Sequence, residues 1–362
     1  MRILILGNSA GGTYNFRGEL VEALISRGHE LLLSVPDDDY VSLFESMGCR
    51  VILTEIDRRG MNPKSEQRLY RTYLKMVRSV KPDCILTYTI KPNIYGGLVA
   101  KRLGIPQIAN VTGLGTAVEN NDIKSKMVLS LYKRGLSGAQ TVFFQNKANM
   151  KYFLDNNIVS GKCDVLSGSG VNLRKHPFEP YPPKTDEYVF LIIGRIMKDK
   201  GIDEVLAAVK TIKKEYPKVT FRFLGSFEDD YRDIIQEAHD RNEIEYCGVR
   251  PDVHSFIKNS HATINATYHE GMSNVLQETA AAGRPVLATN IPGCIETFEP
   301  NVSGISFKPK SSEDLVRAIK EFIALPYEKK AEMGAEGRKR MEKLFDRNII
   351  VEKYLEQIEK DR

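Results

Sequence analysis

The chain has 362 residues, 42% of them hydrophobic and 27% charged, with 27 Gly and 16 Pro; at roughly 150 residues per domain this predicts about two domains. Such a composition excludes a coiled coil, a collagen and a disordered polar chain. The Lys and Arg excess is confined to residues 1–180, where 24 cations face 16 acids, against 28 and 31 in the remainder. Apolar runs such as Ile3 to Leu6 and Val189 to Ile193 fall far short of the ~20 residues of a membrane-spanning helix. No basic segment precedes the first strand, so neither a signal peptide nor a membrane span is expected. The five cysteines, Cys49, Cys84, Cys163, Cys247 and Cys294, form no C-x-x-C pair. A reduced, cytoplasmic setting without structural zinc follows.

Arg2 to Leu6 reads as a strand, Asn8 to Gly12 as a Gly-containing loop and Phe16 to Ser26 as a helix stopped by Gly28. Strands at 30–35, 50–54, 83–87 and 106–110 then alternate with helices at 39–47, 65–80 and 94–103, and a helix follows from Asp122. Gly168 to Tyr188, with Tyr181-Pro182-Pro183-Lys184, reads as a linker. Beyond it come strands at 188–193, 219–224, 243–247, 261–265 and 285–288, helices at 202–216 and 231–241, and helical sequence over 311–343. This pattern predicts an α/β chain of two doubly wound, parallel-sheet domains, 1–180 and 181–345, with a last segment 346–362. In such sheets ligands bind beyond the carboxyl ends of the strands.

Three loops carry chemistry. Gly7-Asn8-Ser9-Ala10-Gly11-Gly12-Thr13 precedes a helix, and Gly11 and Gly12 would let backbone amides approach a phosphate. It is neither G-x-G-x-x-G nor a P-loop, which counts against a dinucleotide dehydrogenase. In Gly194-Arg195-Ile196-Met197-Lys198-Asp199-Lys200-Gly201, Arg195 and Lys200 bracket a short turn. They can neutralise a leaving diphosphate without Mg²⁺, so no metal is expected; a solvated charged loop is the alternative. In His269-Glu270-Gly271-Met272-Ser273-Asn274-Val275-Leu276-Gln277-Glu278, Ser273 is a helix N-cap and the amides of Gly271 to Val275 can hold a phosphate. Glu270 would face the group attached to that phosphate, and Glu278 would accept from ribose hydroxyls.

The run Glu270 to Glu278, followed by Gly283-Arg284-Pro285-Val286 and Ile291-Pro292-Gly293-Cys294-Ile295-Glu296, resembles the signature of glycosyltransferase family 4. Gly194-Arg195 with Lys200-Gly201 resembles its diphosphate motif, and Gly248 to Val253, including Arg250, its nucleobase-side loop. Gly11-Gly12 and the Gly168 to Asn172 turn fit in order and spacing, so the resemblance covers essentially the whole chain. It implies the GT-B fold, with a cleft between two Rossmann-like domains, the donor held by the second and the acceptor by the first. It also implies a final helix, Asp346 to Ile358, crossing back to the first domain.

Tyr14-Asn15-Phe16-Arg17, Lys91-Pro92-Asn93-Ile94-Tyr95-Gly96 and Val111-Thr112-Gly113-Leu114-Gly115 are similar to the bacterial branch that extends polyprenyl-diphosphate-linked sugars. The branch includes N-acetylgalactosaminyltransferases acting on undecaprenyl-diphosphate-bacillosamine, and capsule and O-antigen enzymes. Asn15, Arg17, Lys91, Asn93, Thr112 and Gly113 thereby become acceptor-side candidates; Thr112 stands where many members carry a histidine. The implied reaction is retaining transfer from a UDP-N-acetylhexosamine, with Arg195, Lys200 and Glu270 as catalytic residues and no cofactor. Gly11, Gly12, Gly194, Arg250, Gly271, Met272, Ser273, Asn274, Val275 and Glu278 would bind the donor.

The helix from Asp122 to Gly135 combines Ile123, Met127, Val128, Leu131 and Tyr132 with Lys124, Lys126, Lys133 and Arg134. Such a helix suits the interface of an anionic membrane, although core packing of the same stripe is the alternative. The cations Arg58, Arg59, Lys64, Arg68, Arg71, Lys75 and Arg78 extend the patch. With no aromatic stacking motif beside them, nucleic acid is not an expected partner. The expected location is cytoplasmic and peripheral to the inner membrane face. Competing readings are a nucleotide-sugar epimerase or hydrolase on the same fold and a noncatalytic sugar-nucleotide or lipid binder.

Overall fold

The computed structural model describes residues 1–37, 39–57, 60, 62–113 and 123–360. Arg58, Arg59, Leu114, Gly115 and Asp122, with most of the stretch between the strand expected at 106–110 and the helix expected from Asp122, lie outside these residues. The chain forms two compact units: residues up to Ser169 together with those from Arg347 onward, and Gly170–Asp346. The first division falls within the Gly- and Ser-rich stretch, ahead of the expected boundary at 180.

The first unit contains β1 (Arg2–Leu6), α1 (Ala10–Ser26), β2 (Glu30–Val35), α2 (Val41–Ser46), β3 (Arg50–Leu53), α3 (Pro63–Val80), β4 (Cys84–Tyr88), a π-helical turn (Pro92–Gly96) running into α4 (Gly97–Leu103), β5 (Gln107–Val111), α5 (Ile123–Leu136), β6 (Thr141–Phe144), α6 (Lys147–Asp155) and β7 (Cys163–Val165). Its seven strands pair in the order β3-β2-β1-β4-β5-β6-β7, all parallel. Parallel strands are covered on both faces, which is why β4 and β5 are buried at every residue. Ile3, Ile5, Leu31 and Leu33 point to one layer, while Leu4, Leu6 and Leu32 point to the other with Leu69, Tyr73 and Val77 of α3.

Helix starts follow local chemistry. Asn62 caps α3 by accepting from the Lys64 amide, with Pro63 in the first turn. Ser9 caps α1, accepting from Gly12 N at 3.1 Å, so the helix begins at Ala10, inside the segment read as a loop.

The second unit contains β8 (Val189–Ile193), a 3₁₀ turn (Lys198–Lys200), α7 (Ile202–Glu215), β9 (Thr220–Leu224), α8 (Arg232–Asp240), β10 (Glu245–Gly248), α9 (His254–Lys258), β11 (Ala262–Asn265), α10 (Asn274–Ala281), β12 (Val286–Thr289), β13 (Gly304–Phe307), α11 (Ser312–Ala324), α12 (Tyr327–Arg340) and a π-helical turn (Met341–Phe345). Its six strands run parallel in the order β10-β9-β8-β11-β12-β13. The sequence pattern did not resolve β6, α6, β7, α9 or β13. The strands among them have three or four residues and α9 has five, too few for periodicity to stand out.

The helix α13 (Arg347–Glu359) returns to the first unit. Ile350, Val351, Tyr354, Leu355 and Ile358 join the layer that holds α1. Arg347 fastens it there, donating from Nη1 to the Asn15 carbonyl at 2.7 Å and to Glu19 Oε2 at 2.8 Å, with 8% and 19% of the two side chains exposed. Arg347→Leu leaves Glu19 without this partner and is expected to cost about 3 kcal/mol. Urea unfolding followed by circular dichroism checks this; an unchanged first-unit transition contradicts the anchoring role.

Candidate active site

The order of the second sheet reverses between β8 and β11, and the crevice at such a point is where doubly wound sheets bind ligands. Two loops meet there. The one after β8 carries Gly194, Arg195 and Lys200; the one after β11 carries Thr267 to Gly271 and leads into α10. Gly201 adopts φ +68°, and a Cβ on it would collide with the Ala266 carbonyl, so a side chain would push the first loop off the second.

That approach brings Lys200 and Glu270 together. Lys200 Nζ lies 2.5 Å from Glu270 Oε1 and 3.3 Å from Thr267 Oγ1, and the two charged side chains are 24% and 21% exposed. Thr267 donates its hydroxyl to the His269 carbonyl at 3.1 Å, and the Tyr268 amide donates to the Asp199 carbonyl at 2.9 Å. Burial, with Lys310 and Lys200 nearby, holds the His269 imidazole below its usual pKa, leaving it a neutral ring at pH 7.

Ser273 caps α10: its Oγ accepts from the Leu276 amide at 3.4 Å and from Asn265 Nδ2 at 2.9 Å, while its own amide donates to Gly293 O at 2.8 Å. The expected phosphate cradle over 271–275 therefore narrows. Among the described residues, the amides of Asn274 and Val275 have no protein acceptor, and Asn274 Oδ1 is buried and unpartnered. The Met272 side chain packs with Val171, Ala280, Ala281, Met341 and Phe345, so it supports the loop. Gly271 is buried and Glu278 half-buried. Gly293, at φ +86°, presses its α-carbon on the same loop: a Cβ would sit 2.7 Å from the Glu270 carbonyl oxygen and 2.8 Å from that of Gly271.

Arg195 makes an ion pair of its own. Its side chain is half exposed and Nη1 lies 2.5 Å from Glu228 Oε2, on the loop after β9. Gly194, the first residue after β8, adopts φ +149°. Arg250 is exposed and donates Nε–H to the Cys247 carbonyl at 2.8 Å. Arg284, part of the family-like motif, is fully buried and donates to the carbonyls of Glu179, Pro180 and Lys258 at 2.7–2.8 Å. Its role is to pin the 179–180 segment, and burial lowers its pKa to about 10.

In the first unit several expectations change. Gly11 and Gly12 lie in the first helical turn of α1, and the Asp37 carboxylate already accepts from Ala10 N at 3.0 and 3.3 Å. A phosphate there would meet a protein carboxylate, which argues against donor binding by these glycines. Asn15 is exposed and gives its carbonyl to Arg347. Arg17 is buried beside Tyr88. Lys91 pairs with Glu66 at 2.5 Å and donates to Gly60 O at 2.8 Å. Asn93 is fully buried and donates Nδ2–H to Asn110 O at 2.8 Å, which ties the π-helical turn to β5. Thr112 and Gly113 are half-exposed just beyond β5.

On α5, Lys124, Lys126, Lys133 and Arg134 are exposed, as are Ile123 at 87% and Met127 at 47%. Val128 and Tyr132 are buried, and Leu131 packs partly against the same cluster, so the stripe divides between core and solvent. Lys64, Arg68, Arg71, Lys75 and Arg78 are all exposed along α3. Sequence reasoning missed Asp37, Glu228 and Thr267. They touch the singled-out residues only across tens of positions or through a backbone turn, and no spacing signals such contacts.

Comparison with known proteins identifies the class. The family model "Glycosyl transferases group 1" matches residues 174–340 and "Glycosyl transferase 4-like" matches residues 2–146. Between them they take in most of both units, and the chain belongs to this family of glycosyltransferases, with the two Rossmann-like domains of the GT-B fold. Among curated relatives, the N,N'-diacetylbacillosaminyl-diphospho-undecaprenol alpha-1,3-N-acetylgalactosaminyltransferase of Campylobacter jejuni is 26% identical over 98% of this chain and 97% of its own length. The capsular polysaccharide biosynthesis glycosyltransferase CapM of Staphylococcus aureus is 30% identical over 46% of this chain and 44% of its own. Among solved structures, Anabaena HepE in complex with UDP matches with a TM-score of 0.79 and 18% identity, covering 99% of this chain and 100% of that one. Sucrose-phosphate synthase from Thermosynechococcus elongatus matches with a TM-score of 0.83 and 19% identity, covering 99% and 98%.

Gly293→Ala tests the packing beneath Glu270. A methyl group there displaces the carboxylate-bearing loop, and a shift of about 1 Å at such a site lowers turnover roughly 100-fold. Steady-state kinetics beside a melting curve checks it; full activity in a folded variant would show that the contact is dispensable.

Proposed function

We propose that the protein is a retaining, metal-independent glycosyltransferase that moves a sugar, an N-acetylhexosamine such as GalNAc, from a UDP-sugar to a polyprenyl-diphosphate-linked sugar. The observation that carries the reading is the Lys200–Glu270 pair at 2.5 Å, set at the β8/β11 switch point beside the open amides of Asn274 and Val275. A cation, two amides and a carboxylate in one crevice suit a sugar joined to a diphosphate. Lys200 and the amides meet the phosphate oxygens, Glu270 orders the sugar hydroxyls, and Glu278 holds the ribose. Arg195 would exchange Glu228 for phosphate when the donor binds. The full-length similarity to the C. jejuni enzyme supports a lipid-linked acceptor on the first unit.

In the reaction the bond from the anomeric carbon to the diphosphate oxygen breaks and a bond to the acceptor oxygen forms on the same face. The acceptor proton passes to a diphosphate oxygen, so no side chain need act as base. Charge grows on the departing diphosphate, and a fixed cation aimed at that charge is the strongest stabilisation the crevice can offer. The Lys200–Thr267 contact and the Glu270 pair hold that cation in place before the donor arrives.

Nucleotide release, measured with a panel of UDP-, GDP- and dTDP-sugars in EDTA, tests this. Release is expected only with a UDP-N-acetylhexosamine and a short polyprenyl-diphosphate-linked sugar together. Release without acceptor would instead favour a hydrolase or epimerase, and binding without release a noncatalytic protein. Lys200→Ala is expected to lower turnover by about 100- to 1,000-fold with an unchanged melting temperature.

The reading places the protein on the inner face of the cytoplasmic membrane. Ile123 and Met127 project from α5 among Lys124, Lys126, Lys133 and Arg134, and no helix of the described residues is long and apolar enough to cross a membrane. Ile123→Ser with Met127→Ser should release the protein from phosphatidylglycerol vesicles in a sedimentation assay, and Lys124→Glu with Lys126→Glu should do so more strongly at low salt. Retained binding by both double variants would remove α5 from the contact.

A further inference from the structure

The first unit contains a buried cation whose surroundings are incomplete. Arg17 is 5% exposed, its guanidinium carbon lies 4.7 Å from the centroid of the Tyr88 ring, and Nη1 donates to the Phe16 carbonyl at 2.7 Å. Its Nε is buried without an acceptor, and among the described residues no carboxylate pairs with it. Buried charges are ordinarily paired, because removing them from water without compensation is costly.

The neighbouring polar atoms are incomplete as well. The Tyr88 hydroxyl lies beside Arg17 and Tyr354 yet makes no hydrogen bond of ordinary geometry, and Thr89 Oγ1 and Asn110 Oδ1 are buried and unpartnered. Tyr354, from α13, accepts from Asn110 Nδ2 at 2.7 Å, and its ring centroid lies 6.1 Å from that of Tyr88. Thr89 adopts φ +71°, a left-handed conformation that a β-branched residue rarely takes and that folds retain mainly where function requires it. These residues sit where the order of the first sheet reverses: Tyr88 ends β4, Thr89 follows it, and Arg17 lies on the helix after β1.

We infer that Arg17, Tyr88 and Thr89 form an oxyanion subsite for a phosphate group, with Asn110 Oδ1 available to a neighbouring hydroxyl. Arg17 supplies the charge, and its Nε–H and the two hydroxyls supply donors, a set suited to an anionic oxygen that offers none. Tyr354 is a positioning residue that holds Asn110 in register. The subsite deepens the acceptor reading given above and rests on it for the natural ligand, a phosphate or diphosphate ester; the anion chemistry itself does not depend on transfer.

Calorimetric titration of the intact protein tests this, with inorganic pyrophosphate and farnesyl diphosphate as probes and saturating UDP present to fill the donor site. One equivalent is expected to bind, at least tenfold more weakly in Arg17→Met and with partial recovery in Arg17→Lys. Thr89→Gly removes both a hydroxyl and the unfavourable backbone conformation, so it should melt at a higher temperature while binding the probes more weakly. A merely structural Thr89 would not trade affinity for stability. Wild-type affinity in both Arg17→Met and Thr89→Gly overturns the subsite, and if Arg17→Met does not fold, Thr89→Gly decides alone. Tighter binding of farnesyl diphosphate than of pyrophosphate assigns the subsite to a lipid-linked ester; equal binding assigns it to free phosphate. Arg17-dependent binding without sugar transfer would sink the transferase's acceptor reading and leave the subsite standing, and transfer with Arg17-independent binding would do the reverse.

Discussion

A parallel strand cannot be followed by its neighbour through a tight turn; the chain must cross over the face of the sheet and start again from the same end. Every strand in both units therefore delivers its following loop to one edge, and where strand order reverses the loops part to leave a crevice. The candidate chemistry obeys this constraint. Lys200 and Glu270, seventy positions apart, are adjacent because β8 and β11 are adjacent. Arg17 and Tyr88 are adjacent because β1 and β4 are.

The two crevices differ in how their charges are kept. In the second unit Lys200 and Arg195 each rest against a carboxylate, Glu270 and Glu228, in partly open surroundings. Such pairs exchange partners readily, because water and an incoming anion compensate the separation. In the first unit Arg17 is enclosed against an aromatic face. A cation held by a ring and a single carbonyl keeps much of its capacity for an anion.

Much of the fold was legible in the sequence because it depends on local pattern. Alternating apolar runs and amphipathic segments marked the long elements, Gly201 and Gly293 stood in loops, and Ser273 sat ahead of a helical run. The short elements β7 and α9 carry too few residues for a pattern. Within the sites, Lys200 and Glu270 stood out through the motif, whereas contacts made across the sheet left no local trace. Asp37 on the Ala10 amide, Glu66 on Lys91 and the complete burial of Asn93 belong to this second kind. The start of α1 was misplaced because two glycines read as a loop, while a serine cap and a carboxylate on the first turn outweigh their poor helix propensity.

The return of α13 bears on the order in which the protein is made. The first unit is interrupted in sequence by the whole of the second, so the layer that takes Ile350, Tyr354 and Leu355 stays open while residues 170–346 are synthesised. On a ribosome adding about 5–20 residues per second, that interval lasts roughly ten seconds or more. For that time the apolar layer beside α1 is uncovered and Asn110 lacks its Tyr354 partner. The second unit, continuous in sequence, can fold ahead of the first, and the nascent chain meets any chaperone with its N-terminal half still unfinished.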